Sequence, residues 1–589
     1  MSFGHRRPLG SSPLRSSLST LGASLLAFAL CTATAARSAH ASPVLLAGDG
    51  TEKVHSTHVA LLSSGGTNVV TVLPDYQGSL AAFAVVLPVP SDVTASRVVS
   101  LKRDFVDRLE TVSAPRFAEF WEMDPCEKGK AEQDWERDLS VGSSPGLLGS
   151  VDMGPTKKIA EELLIDVAAT TKAGEYTFQV ADSAEAVKRL LEGKQMTLPA
   201  GGEASLEEYG GKGYKFIVAF VDSNRVELIG GDRAQLSPIR YWTNEDASSV
   251  PARFGLPSAA ANQELFVYTL VPDQRMQVTN YPTKAAPTNV TVDFAVKERM
   301  GEFYDAVYDR FAEKNPGTFL LEYAYSTAGC GKPCPTEPLL PSELMSLGGD
   351  VIDSKLPKSE VSPKPADPTP EEEAAFKASL EGKSPKEKAD AKKEWDTDRQ
   401  TIASRRALLA RHKYVLSRLH YRYAKAQLPQ DPALGPGGSI RGGVALPIGA
   451  EGAADASVSA SSENEFTTRY NNLHPSISQE KCDAPERYRW GKAPRSYRGS
   501  KKVWVASDLS RKNRKQIALE NAVISPVADL GVAGKAAAPA PAAATPAPEP
   551  EKKGFCAYAP SSSVGSWGAL VGLFLALGFA RARRQRLGN

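Results

Sequence analysis

Seventeen consecutive residues near the end of the chain, Val564 to Ala580, carry no charge, and Arg581, Arg583, Arg584 and Arg586 follow them directly. As a helix this run reaches ~25 Å, the short end of what crosses a bilayer. Trp567 sits near one interface and the arginines at the other. The positive-inside rule then puts residues 581–589 in the cytoplasm and the body of the chain outside it. The start of the chain agrees. Arg6, Arg7 and Arg15 precede the apolar stretch LGASLLAFAL, and the small-residue stretch ATAARSAHAS follows. That is the pattern of a secretory leader, residues 1–41, cut after Ala41.

A body folding outside the cytoplasm can use its cysteines as cross-links. Four lie between leader and tail: Cys126, Cys330, Cys334 and Cys482. They allow three pairings, of which Cys330–Cys334 with Cys126–Cys482 is favoured. Zinc is the competing reading, because CGKPC has tolerable ligand spacing. No second cysteine or histidine pair stands nearby, however, and no metal or other cofactor is expected. With 70 basic and 68 acidic residues the net charge is +2. Nothing there favours long-range attraction to nucleic acid.

The body reads as α+β, mainly antiparallel sheets with short helices. STHVALLSS and TNVVTVLP flank Gly65-Gly66 as a hairpin. FAVVLPVP is a buried strand ended by prolines, residues 103–112 an amphipathic helix, and RFAEFWE an aromatic strand leading to Cys126. GEYTFQVAD is a strand. Ser183 caps a helix over 184–192, which Gly193 stops. YKFIVAFVD and NRVELIG are expected to pair around Ser223-Asn224, and ELFVYTLVP is another strand. The order strand, helix, aromatic strand, cysteine occurs twice, ending at Cys126 and at Cys330. This suggests a duplicated half-domain.

Residues 356–411 read as an inserted, charged helical hairpin. Thr369 with Glu372 and Ser384 with Glu387 form two capping boxes, each with proline at the first helical position. Trp395, Ile402 and Leu409, seven apart, mark a narrow apolar seam on the second helix. In SRLHYRY the period changes to two, so a strand follows. GPGGSIRGG reads as a loop. After Ser525 an Ala/Pro-rich stalk, 526–563, carries Cys556.

PDYQGSLAAFAVVLPVP and DFVDRLETVSAPRFAEFWEMDPC resemble the domain-of-unknown-function 2330 family of bacterial secreted proteins. LSPIRYWTNEDASSVPARFGL, ELFVYTLVPDQRMQVTNYP, LSRLHYRYAK and NEFTTRYNNLHP fit the same pattern. The resemblance runs from about Val44 to Pro494, in two parts, 42–355 and 412–525. It implies export but no activity. The tail, GFCAYAP before an apolar run and an arginine-rich end, resembles the MYXO-CTERM sorting signal of myxobacteria, though with a sparser Gly-Cys motif. That likeness implies a sorting peptidase and membrane lipid as partners, with Cys556 as the surface attachment point. A retained single-pass anchor is the alternative.

No HExxH, GxSxG, P-loop or dinucleotide glycine motif occurs. His55 and His58 lie three apart on a strand and point to opposite faces, which disfavours a shared metal. Arg418, His420 and Arg422 read as a solvated strand face, with a cationic stripe for an anionic ligand as the sharper alternative. Two functions stay open. One is a non-catalytic envelope protein that binds an envelope component or another protein, with Arg487, Tyr488, Arg489 and Trp490, near Tyr470, as the candidate patch. The other is a secreted hydrolase whose catalytic residues the sequence does not name.

Overall fold

The computed structural model describes residues 43–79, 81–126, 174–226, 228–230, 232–328, 338–424, 427–443, 455–476, 482–491, 505–506 and 517–535. The Gly-Gly hairpin forms as expected. β2 (Val54–Ser64) and β3 (Thr67–Gln77) pair antiparallel, and Gly65 and Gly66 take φ of 57° and 73°. A Cβ at either position would strain that turn.

The hairpin is part of a large mixed sheet. β2 lies parallel to β12 (Ala259–Val271), and β12 antiparallel to β17 (Val415–Tyr423). β17 in turn lies antiparallel to β16 (Phe319–Ser326). Beyond β16 come β21 (Glu465–Thr467), β19 (Ile440–Gly442) and β20 (Ser459–Ala460), with β14 (Thr283–Ala285) also on β16. Beyond β3 come β10 (Arg233–Gln235) and β9 (Leu228–Gly230). β11 (Ile239–Thr243) also pairs with β3 and carries β5 (Val98–Ser100). A second sheet has the order β1 (Leu45–Ala47), β4 (Phe83–Val89), β8 (Lys215–Val221), β7 (Tyr176–Ala181). A third runs β15 (Val290–Val292), β22 (Arg469–His474), β6 (Arg116–Glu122), β23 (Trp490–Gly491). β13 (Arg275–Val278) pairs with β18 (Leu434–Gly437) alone.

Apolar alternation explains the layers. Val59, Leu61, Val267 and Leu419 of the large sheet meet Val85, Leu87, Ile217 and Ala219 of the second. Each such side chain contributes ~1.5–3 kcal/mol when fully buried. The large sheet's other face, Phe266, Tyr268 and Leu270, lies under Leu109 and Val112 of α1 (Asp104–Ser113) and under Leu344, Leu347 and Val351. Gly348 (φ 138°) makes that approach close, since a Cβ there would sit 2.7 Å from Val69. The second sheet's outer face is covered by α2 (Ala184–Glu192) and α3 (Gly202–Gly211). α4 (Met300–Lys314) packs on the third sheet through Phe303 and Tyr304.

In the insertion, α5 (Pro370–Ser379) and α6 (Pro385–Arg411) both carry the expected capping boxes. Phe376 stacks on Trp395 with ring centroids 4.3 Å apart. The seam is offset by one residue from the heptad reading, because Leu408 is the buried position of α6.

Several expectations are corrected. NRVELIG does not pair with YKFIVAFV. β8 is buried on both faces and has β4 and β7 on its two edges, so no edge is left for a third strand. Residues 223–225 make a 3-10 turn capped by Asp222, and the chain crosses to the large sheet. GPGGSIRGG is not all loop, since it contributes β18 and β19. The sheets are mainly antiparallel, as expected, but among the described strands the pairs β2–β12, β15–β22, β22–β6, β14–β16 and β19–β21 are parallel. The strand–helix–strand order does recur, but its pairing does not. β4 and β6 lie in different sheets, while β12 and β16 flank β17 in one. Packing also continues past the expected start of the stalk. Val527, Leu530 and Val532 are buried, and Lys535 bonds Asp293 at 2.7 Å.

Candidate functional site

β17 shows how the large sheet handles charge. Leu419, Tyr421 and Tyr423 face the second sheet, while Arg418, His420 and Arg422 face the opposite way, where α4 flanks the sheet. The solvated-face reading is therefore wrong, because both faces are covered. Arg418 is 1% exposed and His420 0%. Strand alternation separates two faces but cannot say whether the second one meets water.

Two acids, each the single one in its strand, supply the partners. Glu322 of β16 accepts from Arg418 Nε at 2.6 Å and from His420 Nδ1 at 2.8 Å. Glu264 of β12 accepts from His420 Nε2 at 2.6 Å and from Arg422 Nε at 2.5 Å. Residues four apart share a helix face, so α4 presents Tyr304 with Tyr308 and Asp305 with Asp309 together. Tyr304 donates to Glu322. The Arg422 guanidinium bonds Asp305 at 2.6 Å and also Asp309. Phe266 and Tyr308 sandwich His420, with centroids 4.2 Å away on each side.

This cage fixes its own protonation. Burial pushes the His420 pKa down, but Glu322 and Glu264 outweigh it and the value is raised. Burial likewise pushes the carboxylates up. Arg418 with His420 for Glu322, and Arg422 with His420 for Glu264, reverse this and hold both below the usual range. Asp309 goes the other way, raised by burial despite Arg422. A histidine with both ring nitrogens donating offers no lone pair, so it serves neither as a base nor as a metal ligand. Distant segments do bring a histidine and carboxylates together, but the imidazole is fully buried and both its nitrogens are taken up by carboxylates.

A second buried chain sits at the foot of α6. His412 bonds Asp353 Oδ1 at 3.0 Å and the Tyr414 hydroxyl at 2.7 Å, and Arg411 holds the same carboxylate at 2.8 Å. Arg411 and His412 together hold Asp353 low, overcoming the upward push of burial. This polar chain pins the hairpin to the body.

The nominated patch is largely spent on structure. Trp490 and Tyr470 are buried. Glu122 takes Arg487 Nε at 2.9 Å and the Tyr488 backbone N–H at 2.7 Å on one oxygen, and the Ser476 N–H at 2.9 Å on the other. Arg489 donates to the Asp124 carbonyl at 2.9 Å. Tyr488 and Arg489 stay partly exposed. The expected bond Cys126–Cys482 ties the same corner, closing a sequence separation of 356 residues. Cys330, Cys334, Cys556, the leader, the apolar run 564–580 and the arginine-rich end lie outside the described residues. Among those described, no helix is long and apolar enough to cross a membrane, and no His/Cys/Asp/Glu group could hold a metal ion. His58 is buried against Tyr268 (3.1 Å), and His55 bonds Gln77.

At their other end the same three strands open. Residues at the ends of β12 and β16 and the start of β17 line a cleft of about 510 Å³. Its polar groups include Asp273, Lys413, Glu463, Asn464 and Glu465.

Fold and clusters together define a disulfide-linked α+β scaffold with a largely buried ionic cluster. Residues 35–316 match the family model described as "Uncharacterized protein conserved in bacteria (DUF2330)". The match supports the resemblance read from the sequence and stops short of the later segments assigned to it, from LSRLHYRYAK onward. No curated protein and no solved structure matches the chain.

Proposed function

We propose that this chain is an exported envelope protein, held at the cell exterior by its C-terminal end, whose folded body binds rather than catalyses. The observation that carries this reading is the Cys126–Cys482 bond. Such a cross-link persists in oxidising compartments and is kept reduced in the cytosol. The leader and the apolar, arginine-ended tail point the same way. The sorting-signal likeness adds a peptidase that removes the helix and leaves Cys556 as the lipid-side attachment. The non-catalytic reading rests on His420, which is charged, doubly bonded and fully buried.

The test is protease shaving of intact cells, with mass spectrometry of the mature C-terminus and a thiol count. Loss of the body from unbroken cells, with Cys126 and Cys482 blocked to thiol reagents, is expected. A chain protected until lysis, with all thiols free, would overturn the proposal.

A further inference from the structure

We infer that the cleft at the rim of β12, β16 and β17 is a binding site for an uncharged, hydroxyl-rich ligand the size of a disaccharide. The inference deepens the binding role proposed above and rests on it. The size fits first: about 510 Å³ lies within the range of ligand pockets. Its chemistry comes next. Asp273, Glu463 and Glu465 supply carboxylate acceptors, Lys413 an ammonium donor, and Asn464 an amide already fixed by the Ile440 N–H and the Ser439 hydroxyl. Two of the three carboxylates already have a cation beside them. Lys413 stands 3.9 Å from Asp273, and Arg441 stands 3.2 Å from Glu465. A strongly charged ligand would meet little uncompensated opposite charge here. A hydroxyl both donates and accepts, and so can use every group in this mixed set.

Tyr325 adds an independent observation. It is 3% exposed as a residue and lines the cleft, and its hydroxyl is not among the buried polar atoms that lack a partner, so the tip opens into the cleft. A hydroxyl placed there can both donate to and accept from a bound group. Tyr325 and Tyr414 (0% exposed) offer no open ring face. The ligand would therefore be held by hydrogen bonds rather than stacking, and binding in the range of about 1 mM is expected.

Saturation-transfer NMR on the purified, disulfide-bonded chain tests this, with cellobiose, maltose and chitobiose as probes and spermine and inorganic phosphate as charged controls. Transfer to at least one disaccharide is expected. Tyr325→Phe and Glu463→Gln should each weaken it about 5-fold, the scale of one lost hydrogen bond, without moving the melting temperature. Silence with all three sugars, undiminished transfer in both variants, or binding of spermine or phosphate alone would overturn the inference. Shaving keeps the two proposals apart. A chain exposed on cells but silent to sugars loses this site and keeps its location, while a sugar-binding chain that shaving never reaches does the reverse.

Discussion

β12, β16 and β17 do opposite things at their two ends. Toward one end, Glu264, Glu322, Arg418 and His420 form an ionic cage with almost no contact with water, edged by the partly exposed Arg422. Toward the other, Lys413 and Asp273 stand more than half exposed beside an open cleft. The same residue types therefore have different worth. In the cage each charge has surrendered hydration and depends on its partners, so removing one strands the rest. At the rim, water replaces whatever a mutation removes.

The widest gap should come from Glu322→Ala, which leaves Arg418 and His420 short of a buried partner. A loss of about 3–5 kcal/mol is expected from urea titration. A loss under ~1 kcal/mol would mean the cage is hydrated after all. Next is the bond that closes the β6–β23 corner. Cys482→Ser should cost about 2–4 kcal/mol, read as a lowered melting temperature that reductant no longer shifts. An unchanged melt would show that Glu122 holds the corner by itself.

A pH series sharpens the comparison further. The raised value of His420 means its contribution is complete below the ordinary 6.5 and lost as pH rises through the folded value. Glu264 and Glu322 are lowered, so theirs is complete above the ordinary 4.5 and lost as pH falls through their folded values. The cage's own contribution should therefore plateau between 4.5 and 6.5 and decline on both sides. His420→Gln should flatten the alkaline limb, and an identical alkaline slope in that variant would remove His420 as its source. The smallest effect belongs to the rim. Glu463→Gln should change stability by no more than ~0.5 kcal/mol in the same titration, and a larger loss would erase the contrast between the two ends.

Much of the local structure was legible. The Gly65-Gly66 turn, the capping boxes at Thr369 and Ser384, the strand over Val415–Tyr423 and the Cys126–Cys482 bond each depend on a few residues whose conformational needs are written in their side chains. The partner of β8 was not legible, because YKFIVAFV fits any apolar neighbour and sequence proximity favoured the wrong one. Of the candidate patch, burial removes the aromatics Trp490 and Tyr470 but leaves Arg487, Tyr488 and Arg489 partly exposed. Trp490 and Tyr470 look like binding aromatics until neighbouring strands cover them. Glu264 follows Asn262 and Gln263 and left no signal, whereas Glu322 left a usable one, a single acid inside an apolar strand. Such a residue must either face water or find a cation, but the run does not say which cation.

The chain by itself determined where turns fall, where helices start and stop, and which strands are apolar on both sides. These follow from backbone sterics, local hydrogen bonds and hydrophobic period, all of which act over a few residues. Only tertiary packing decided that Arg418, His420 and Arg422 are interior. Whether a charged face meets water or carboxylates depends on Glu264 and Glu322, 158 and 96 residues away from their arginines. A charge's energy is set by what surrounds it in space, which no stretch of neighbouring sequence contains.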